Sequence, residues 1–426
     1  MHPSLQAGRL TQASQGMLTA IMPQAQLGAI VEVERAHHPP LMAEVVGIRD
    51  ESCTLAPWSD PSGVCAGATV LLVGAAAPQL CEVKSRGRVV NALGEDLYLG
   101  KTLTRTTPHL ERSDGNFRQR VASQARVHSG IRSVDMVLPI VRGQRIGIFA
   151  GAGVGKTTLL TQLAHQIDAD RVVIALIGER AREAVSLASD LRQLPTWEKT
   201  TLIVATSDEP AALRVRAAWA AMELAQQSRA EGAHALVLVD SLTRWVRARR
   251  DLSLLAGERA ARGGFPPSAF AAMAPLVEAA GATQSGAITA FFTVLLEADA
   301  MEDPIGDEAR GLVEAHWILS RALAQRNVFP AIDLRASLSR LAGDVLTDEQ
   351  SQVYRRLRHG FALAEELQEA QRFGLYTPGM DAATDAVHAA MPALLQWMRQ
   401  ATDETHDWED SWQRSVQLYN QLGALP

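Results

Sequence analysis

The residues best suited to chemistry form a glycine-rich run, AGAGVGKTT, at residues 150–158. Its glycines let successive backbone N–H groups turn inward around a phosphate, where a Cβ atom would collide. Lys156 can then reach the β and γ phosphates, and Thr157 can offer a hydroxyl to Mg²⁺. The run therefore predicts a phosphate-binding loop for MgATP. Its expected contact residues are Gly151, Ala152, Gly153, Val154, Gly155, Lys156, Thr157 and Thr158.

The elements around this run must position it. A strand-like stretch at residues 145–149 precedes the run, and a helix-like stretch at residues 159–167 follows it. The helix would point the positive end of its dipole at the bound anion. One residue departs from the pattern G-x-x-x-x-G-K-[ST], because Ala150 stands where the first glycine is expected. The alternative is a glycine-rich turn with an accidental lysine, and the flanking strand and helix argue against it.

Two carboxylates follow apolar strand-like stretches further along the chain. Asp240 follows residues 235–239, where a carboxylate can hold Mg²⁺ through water, or can cap the next helix. Glu179 comes soon after residues 171–177, where it can polarise the water that attacks the γ-phosphate, or can simply favour a helix start. Arg180 beside it can pair with phosphate or hold the glutamate.

Composition narrows the class of protein. The 426 residues are enough for about three domains, and 47% apolar and 21% charged residues are ordinary for a soluble globular chain. A net charge of −6 gives no overall case for nucleic-acid binding. Cys53, Cys65 and Cys81 form no C-x-x-C pair, which favours buried thiols in a reducing compartment. No membrane-length apolar run and no signal peptide is evident, so a cytoplasmic protein is expected.

Hydrophobic patterning divides the chain into three parts. Residues 1–82 read as short strands separated by turns, which predicts a small β-barrel. Residues 83–345 alternate strand and helix, which predicts an α/β domain with a parallel sheet flanked by helices. Residues 346–426 lose strand character and predict a helical domain, with helical spacing at residues 352–373 and 383–400. A core-facing stripe is expected at Val353, Leu357, Phe361, Ala364 and Leu367. An RNA-binding barrel is the alternative for the first part, but acids outnumber its basic residues and aromatic residues are sparse.

Taken together, these segments resemble the type III secretion ATPases, relatives of the rotary ATP synthase α and β subunits. The resemblance covers nearly the whole chain. Besides the phosphate-binding loop, the matching segments are residues 87–94, 129–135, 143–147, 178–180, 240–244, 264–268, 288–295, 319–321 and 329–333.

The resemblance implies a role for each site residue. Lys156 and Thr157 would bind phosphate and Mg²⁺, together with Asp240. Glu179 would be the catalytic carboxylate, with Arg180 next to the γ-phosphate. Phe329 occupies the position of an aromatic residue that stacks on adenine. Arg340, undistinguished by itself, matches the arginine finger that reaches the nucleotide of a neighbouring subunit.

The resemblance also implies a biological setting. The chain would form a homo-oligomer, a hexamer, at the cytoplasmic base of a type III secretion apparatus, peripheral to the inner membrane. ATP hydrolysis would release chaperones from exported proteins and help to unfold them. The implied partners are a stator-like regulator, a central coiled-coil stalk protein, chaperone–effector complexes and the export gate, without nucleic acid. Residues 205–208 and 262–267 lean toward the injectisome branch over the flagellar branch.

Four competing functions remain at this point. A flagellar export ATPase is the nearest alternative. An ATP synthase β-type subunit is disfavoured by the loop at residues 264–267 and by the divergent C-terminal part. An RNA translocase is disfavoured by the acidic N-terminal part. A ring subunit that binds nucleotide without hydrolysis is disfavoured because Lys156, Glu179, Asp240 and Arg340 are all present.

Overall fold

The computed structural model describes residues 7–14, 16–104, 117–296, 303–377, 379 and 382–422. Over these residues the chain forms a β-barrel, then a sheet with helices on both faces, then a group of helices. The predicted α/β architecture is therefore confirmed. No helix among these residues is both long enough and apolar enough to cross a bilayer.

The barrel closes because its first strand pairs with both its second and its last. Around the barrel the strand order is β1-β2-β5-β4-β3-β6. Leu18, Val31, Leu55 and Val70 lie inside it, fully buried. The strands are β1 (Ala7–Ala13), β2 (Leu18–Ile21), β3 (Ile30–Val33), β4 (Leu41–Arg49), β5 (Ser52–Pro57) and β6 (Thr69–Gly74).

The sequence did not reveal the first two barrel strands. In β1 the single large apolar residue is Leu10, so the stretch lacks the alternation that marks a strand. The cysteines also differ from expectation. All three are free thiols, but Cys65 is exposed and only Cys53 is fully buried. Cys65 lies in the connection between β5 and β6, where no core covers it.

The middle part is built on one large sheet. Its strands run in the order β17-β16-β10-β15-β13-β11-β12-β7, with β14 pairing beside β15. In chain order the elements are α1 (Glu82–Ser85), β7 (Arg88–Asn91), β8 (Arg126–Val127), α2 (Arg132–Val137), β9 (Ile140–Val141), β10 (Arg145–Ala150), α3 (Lys156–Gln166), β11 (Arg171–Ile177), α4 (Ala181–Arg192), β12 (Thr200–Ala205), α5 (Ala211–Ala230), β13 (His234–Asp240), α6 (Leu242–Leu255), α7 (Pro267–Ala271), α8 (Met273–Glu278), β14 (Gly281–Ala282), β15 (Ala287–Leu295), α9 (Pro304–Leu312), β16 (Ala315–Leu319), α10 (Arg321–Gln325), β17 (Ile332–Ser339) and α11 (Ala342–Val345).

The direction of the strands decides where the predicted site residues lie. From β7 to β16 the strands of the main path pair in parallel, so their carboxyl ends meet at one edge, here called the phosphate edge. Residues 150–158 follow β10 at this edge, Glu179 comes two residues after β11, and Asp240 ends β13. Every residue of β11 and β13 is buried, as expected for parallel strands covered on both faces.

The outermost strand breaks the parallel pattern. β17 pairs antiparallel with β16, with Ser339 opposite Ala315, and Ala315 pairs in turn with Ile146 near the start of β10. The end of β17 therefore lies at the opposite edge of the sheet from the phosphate edge. Arg340 follows it there. Alternating burial along β17 fits a strand that is partly open to solvent.

The C-terminal part consists of α12 (Asp348–Arg372), α13 (Ala382–Met398) and α14 (Trp408–Gln421). α12 starts with a capping box, in which the Thr347 hydroxyl accepts from Gln350 N and the Gln350 side chain accepts from Thr347 N. The predicted stripe faces the core. Its aliphatic members are buried, and the half-buried Phe361 ring packs on Trp397 with 5.6 Å between centroids. α14 was not predicted from the sequence.

Candidate active site

The phosphate-binding loop leaves β10 and leads directly into α3, as predicted. Gly153 and Gly155 have φ angles of +76° and +89°, a region that only glycine adopts readily. α3 starts at Lys156, and the side chains of Thr157 and Thr158 are exposed at its first turn. Ala150 is still part of the strand, in register with Leu295, so an alanine fits where the pattern expects glycine.

Lys156 brings the two predicted carboxylates together. Its Nζ lies 2.5 Å from Oδ1 of Asp240 and 3.5 Å from Oε1 of Glu179. Asp240 is 2% exposed and Glu179 is 7% exposed, so both negative charges are largely removed from water. The three groups come from three different elements and meet at the phosphate edge. Such a cluster of one ammonium and two carboxylates is suited to binding and hydrolysing a phosphate anhydride with a divalent cation.

Glu179 is held by an arginine that sequence reasoning did not assign to the site. Arg244 donates to Oε2 of Glu179 at 2.8 Å and also to the carbonyl of Gly178. Arg180 is the arginine that the sequence suggested for this task, but it is exposed where α4 begins. Arg244 lies in the first turn of α6, four residues after Asp240. That spacing was a usable signal, because it places the arginine at the same edge as Asp240.

Gly178 makes room for this arginine. Its φ angle is +68°, and a Cβ atom built there would lie 3.0 Å from Cδ of Arg244. A side chain at this position would therefore be strained and would also push the guanidinium away from Glu179. The glycine before Glu179 thus leaves the space that the Glu179–Arg244 pair needs.

The pKa of Glu179 is raised above its usual range. Burial is the largest cause, and Asp240 and Glu183 act in the same direction. Lys156 and Arg244 oppose this rise, because a nearby cation stabilises the carboxylate. A raised pKa makes Glu179 a stronger base than a carboxylate in water, which suits a group that accepts or shares a proton with a water molecule.

Asp240 does not cap the helix that follows it. Ser241 is the residue that caps α6, accepting from the backbone N–H of Arg244. Oδ1 of Asp240 also accepts from the Thr293 hydroxyl at 2.6 Å, which orients the carboxylate. A buried carboxylate oxygen and the exposed hydroxyl of Thr157 form an oxygen donor set that fits Mg²⁺. Among the described residues, no group of three or more His, Cys, Asp or Glu side chains is placed to hold a metal ion.

Phe329 borders a cavity of about 610 Å³ that opens beside the phosphate-binding loop. A Cβ atom on Gly155 would lie 3.2 Å from its ring, and the side chain is 38% exposed. The opposite wall belongs to the C-terminal part. The cavity is lined by Gly153, Gly155, Thr158, Asn327, Phe329, Arg399, Gln400, Ala401, Thr402 and Glu404. A larger cavity of about 830 Å³ lies between the barrel and α5 and contains none of the predicted site residues.

Arg340 is not part of this cluster. It follows β17 at the opposite edge of the sheet, with an exposed side chain. Its backbone N–H donates to the Glu314 carbonyl at 3.0 Å, and its guanidinium donates to the Arg310 carbonyl at 3.3 Å. The structure therefore brings together Lys156, Glu179 and Asp240, beside Thr157 and Phe329, and separates Arg340 from them.

Two protein-family profiles match the chain. The nucleotide-binding domain of the ATP synthase alpha/beta family matches residues 130–339, and the T3SS EscN ATPase C-terminal domain matches residues 346–414. A type 3 secretion system ATPase of Pseudomonas syringae pv. syringae is 36% identical, over 97% of this chain and 94% of that protein. The chain belongs to the type III secretion ATPase family. It is an ATP-hydrolysing enzyme, and the resemblance seen in the sequence is confirmed.

Solved structures of this type III secretion ATPase family agree closely with the fold. The assembled ATPase EscN of enteropathogenic E. coli superposes with a TM-score of 0.88, at 34% identity, covering 97% of this chain and all of EscN. EscN in complex with its central stalk EscO gives a TM-score of 0.82 at 33% identity, again over 97% of this chain and all of EscN. The family extends to flagella. A flagellum-specific ATP synthase of Treponema pallidum is 36% identical, over 96% of this chain and 92% of that protein.

Proposed function

We propose that this ATPase hydrolyses MgATP at the Lys156–Glu179–Asp240 cluster and uses the reaction to drive type III protein export. The observation that carries the proposal is the convergence on Lys156 Nζ of Asp240, at 2.5 Å, and Glu179, at 3.5 Å, below a phosphate-binding loop. The loop N–H groups and Lys156 bind the β and γ phosphates. As the triphosphate enters, Lys156 exchanges its contact with Asp240 for contacts with phosphate.

Thr157 and Asp240 would hold the magnesium ion, Thr157 through its hydroxyl and Asp240 through water. The ion, when bound, neutralises charge on the β and γ phosphates. Glu179 orients the attacking water and takes its proton, assisted by the burial that raises its pKa. Arg244 keeps Oε2 of Glu179 in a fixed direction, which leaves Oε1 for the water. Arg180, exposed beside Glu179, approaches the γ-phosphate.

Arg340 serves the nucleotide of a neighbouring subunit. It lies at the sheet edge opposite its own phosphate-binding loop, and its side chain is exposed. An arginine supplied by a neighbour stabilises the charge that develops on the transferring phosphoryl group. The chain therefore acts as a homo-oligomer, a hexamer, in which each subunit contributes to two sites. The assembled state of EscN supports this proposal.

In the cavity beside the loop, Phe329 stacks on the adenine of ATP. The structure of EscN with EscO supports a central stalk protein as a partner. By family membership the further partners are a stator-like regulator, chaperone–effector complexes and the export gate. The enzyme would work in the cytoplasm, peripheral to the inner membrane at the base of the apparatus. A flagellar export role is the alternative, because flagellar relatives match the chain about as well.

A lysine substitution tests the proposal. Lys156→Ala should abolish ATP hydrolysis by the purified protein while its circular dichroism and thermal unfolding stay close to the wild type. Lys84→Ala, at an exposed lysine on α1, is the matched control and should hydrolyse ATP normally. In a deletion strain, Lys156→Ala should fail to restore export of the proteins that the wild-type gene restores. Loss of flagellar proteins alone would favour the flagellar alternative, and near-normal turnover of Lys156→Ala would refute the site assignment.

A further inference from the structure

The backbone that carries Arg340 is held firmly. Ser339 before it is 3% exposed and donates its hydroxyl to the Pro139 carbonyl at 2.9 Å. Gln144 Nε2 donates to the same hydroxyl oxygen at 3.1 Å. The Arg340 N–H is bound to the Glu314 carbonyl. The position of Arg340 Cα is therefore set by the sheet, and the direction of its long side chain depends on what the guanidinium contacts.

The described contact of the Arg340 guanidinium is the carbonyl of Arg310, at 3.3 Å. Arg310 lies in the last turn of α9, where the helix presents free carbonyl groups and the negative end of its dipole. A cation held there gains both a hydrogen bond and a favourable charge interaction. The place of that carbonyl depends in turn on where the end of α9 is packed.

The Arg310 side chain packs the end of α9 onto the strand that leads to the phosphate-binding loop. Its guanidinium carbon lies 5.4 Å from the centre of the Phe149 ring, which is fully buried. Such a contact is favourable because the negative face of the ring attracts the guanidinium charge. His316 meets the same ring edge-on, with 6.4 Å between centroids. Phe149 immediately precedes Ala150, the last residue of β10, and the phosphate-binding loop follows. The Phe149 ring is therefore the side chain that lies between Arg310 and this loop.

Arg340 is one of three arginines whose charge acts on His316. Burial lowers the pKa of the half-buried His316, and the charges of Arg310, Arg340 and Arg358 lower it further. Arg358 is tied to the Ser337 carbonyl at 2.8 Å, and Arg310 packs on Phe149. Of these three arginines, Arg340 is the exposed one. Its guanidinium is therefore open to a neighbouring subunit while it stays bonded to the Arg310 carbonyl.

We infer that Arg310 is a positioning residue for Arg340, and that Phe149 makes this positioning depend on the phosphate-binding loop of the same subunit. The inference rests on the proposed role of Arg340 at a neighbouring site. α9 connects β15 to β16, and both strands pair in parallel with β10. The helix therefore runs from the phosphate edge to the opposite edge of the sheet, where Arg340 lies. A change at one subunit's loop would thus reach, through Phe149 and Arg310, the arginine that serves the next site.

A double-mutant cycle tests whether Arg310 positions Arg340. Arg310→Met keeps the carbonyl but removes the contact with Phe149. In single-turnover hydrolysis the rate should fall about 10-fold, as expected when a catalytic group is slightly misplaced. Nucleotide affinity of the monomer should not change. In an Arg340→Ala background the same substitution should cause no further loss. Arg310→Lys, which retains a cation for Phe149, should recover most of the rate. Arg335→Met, at an exposed arginine of β17 paired with Glu365, is the matched control and should not change the rate.

Substitution of Phe149 tests whether the positioning of Arg340 depends on the phosphate-binding loop. Phe149→Leu should lower the Hill coefficient for ATP hydrolysis toward 1, because the state of one loop no longer reaches the neighbouring site. Phe292→Leu is the matched control, since Phe292 is equally buried in the adjacent strand in the same core cluster. It should lose similar thermal stability and keep the wild-type Hill coefficient. A wild-type coefficient of 1, or an equal effect of both leucine variants, would overturn this dependence.

The possible failures are distinguishable. If Arg310→Met lowers the rate by the same factor with and without Arg340, Arg310 does not act through Arg340 and the inference fails while the role of Arg340 stands. If Arg340→Ala itself hydrolyses ATP at the wild-type rate, the proposed role of Arg340 fails first. Circular dichroism of each variant shows whether a loss of rate reflects unfolding, and Arg310→Lys then provides the folded comparison.

Discussion

Gln400 donates its backbone N–H to the carbonyl oxygen of Phe329 at 2.8 Å. Its side chain accepts from the Arg132 N–H at 2.9 Å and donates to the Gly130 carbonyl at 2.6 Å. Gln400 is buried in the loop after α13 and thus joins three segments: the C-terminal part, the aromatic wall of the cavity and the start of α2. The cavity beside the phosphate-binding loop is therefore shaped jointly by the sheet domain and the C-terminal part.

Removal of the aromatic ring should weaken nucleotide binding without altering the chemistry. Phe329→Ala should raise KM for ATP by about 10-fold and leave kcat within about 2-fold, because stacking of a base on a ring contributes roughly 1–3 kcal/mol. Phe329→Tyr should bind almost normally. Titration with a fluorescent ATP analogue measures the affinity directly. Unchanged affinity of Phe329→Ala would place the base elsewhere.

Substitution of Glu179 should separate nucleotide binding from turnover. Glu179→Gln should retain MgATP affinity within a few-fold and lose hydrolysis by roughly 10²-fold or more, because the group acts mainly in the transition state. Equilibrium titration and phosphate-release assays on the same preparation give the two values. Equal losses of affinity and rate would show that Glu179 is structural.

Arg244 should control both the direction and the pKa of Glu179. Arg244→Ala removes a cation that lowers this pKa, so the acid limb of the kcat profile should move to higher pH. At neutral pH kcat should fall about 10-fold or more while the affinity for nucleotide changes little. Arg250→Ala, on the same helix and paired with Asp251 at 3.1 Å, is the matched control. An unshifted acid limb would show that Arg244 does not act on Glu179.

Mixing of two inactive variants tests whether Arg340 acts on a neighbour. Arg340→Ala and Glu179→Gln subunits should each be inactive alone, with a loss of about 10³-fold or more for the arginine. Mixed assemblies place some intact Arg340 residues beside intact Glu179 sites, so partial activity should return. Crosslinking verifies that the subunits have mixed. Activity that stays at the baseline in confirmed mixed assemblies would exclude action in trans.

His234 should make the fold less stable in mild acid. Burial, aided by Arg142, lowers its pKa to about 4, so the native state keeps the imidazole neutral while the unfolded chain protonates near pH 6.5. The unfolded state therefore binds more protons between these values, and stability is lost as the pH falls from about 6.5 to 4. From pH 7 to pH 5 the loss should be about 2 kcal/mol. Urea unfolding of the wild type and of His234→Gln at both pH values should show a loss that is smaller by about this amount in the variant.

The site was predictable where it depends on consecutive residues. The phosphate-binding loop, Glu179 and Asp240 follow buried parallel strands, and such strands read as unbroken apolar runs. Arg244 was missed because its partner lies 65 residues away, and only the neighbouring placement of β11 and β13 brings them together. The location of Arg340 was equally hidden, since it depends on the antiparallel direction of β17. β1 escaped notice because it offers one large apolar side chain.

The opposite-edge placement of Lys156 and Arg340 has a consequence for assembly. With Arg340 acting in trans, contacts between subunits are head-to-tail, each joining two different surfaces. A dimer formed this way has one completed site and two unsatisfied ends, and an open string always has one site fewer than it has subunits. Only when the last subunit closes the string into a ring does every subunit have a completed site. The number of completed sites should therefore rise by one at each earlier addition and by two at the addition that closes the ring, so that closure itself gives the largest gain in total turnover.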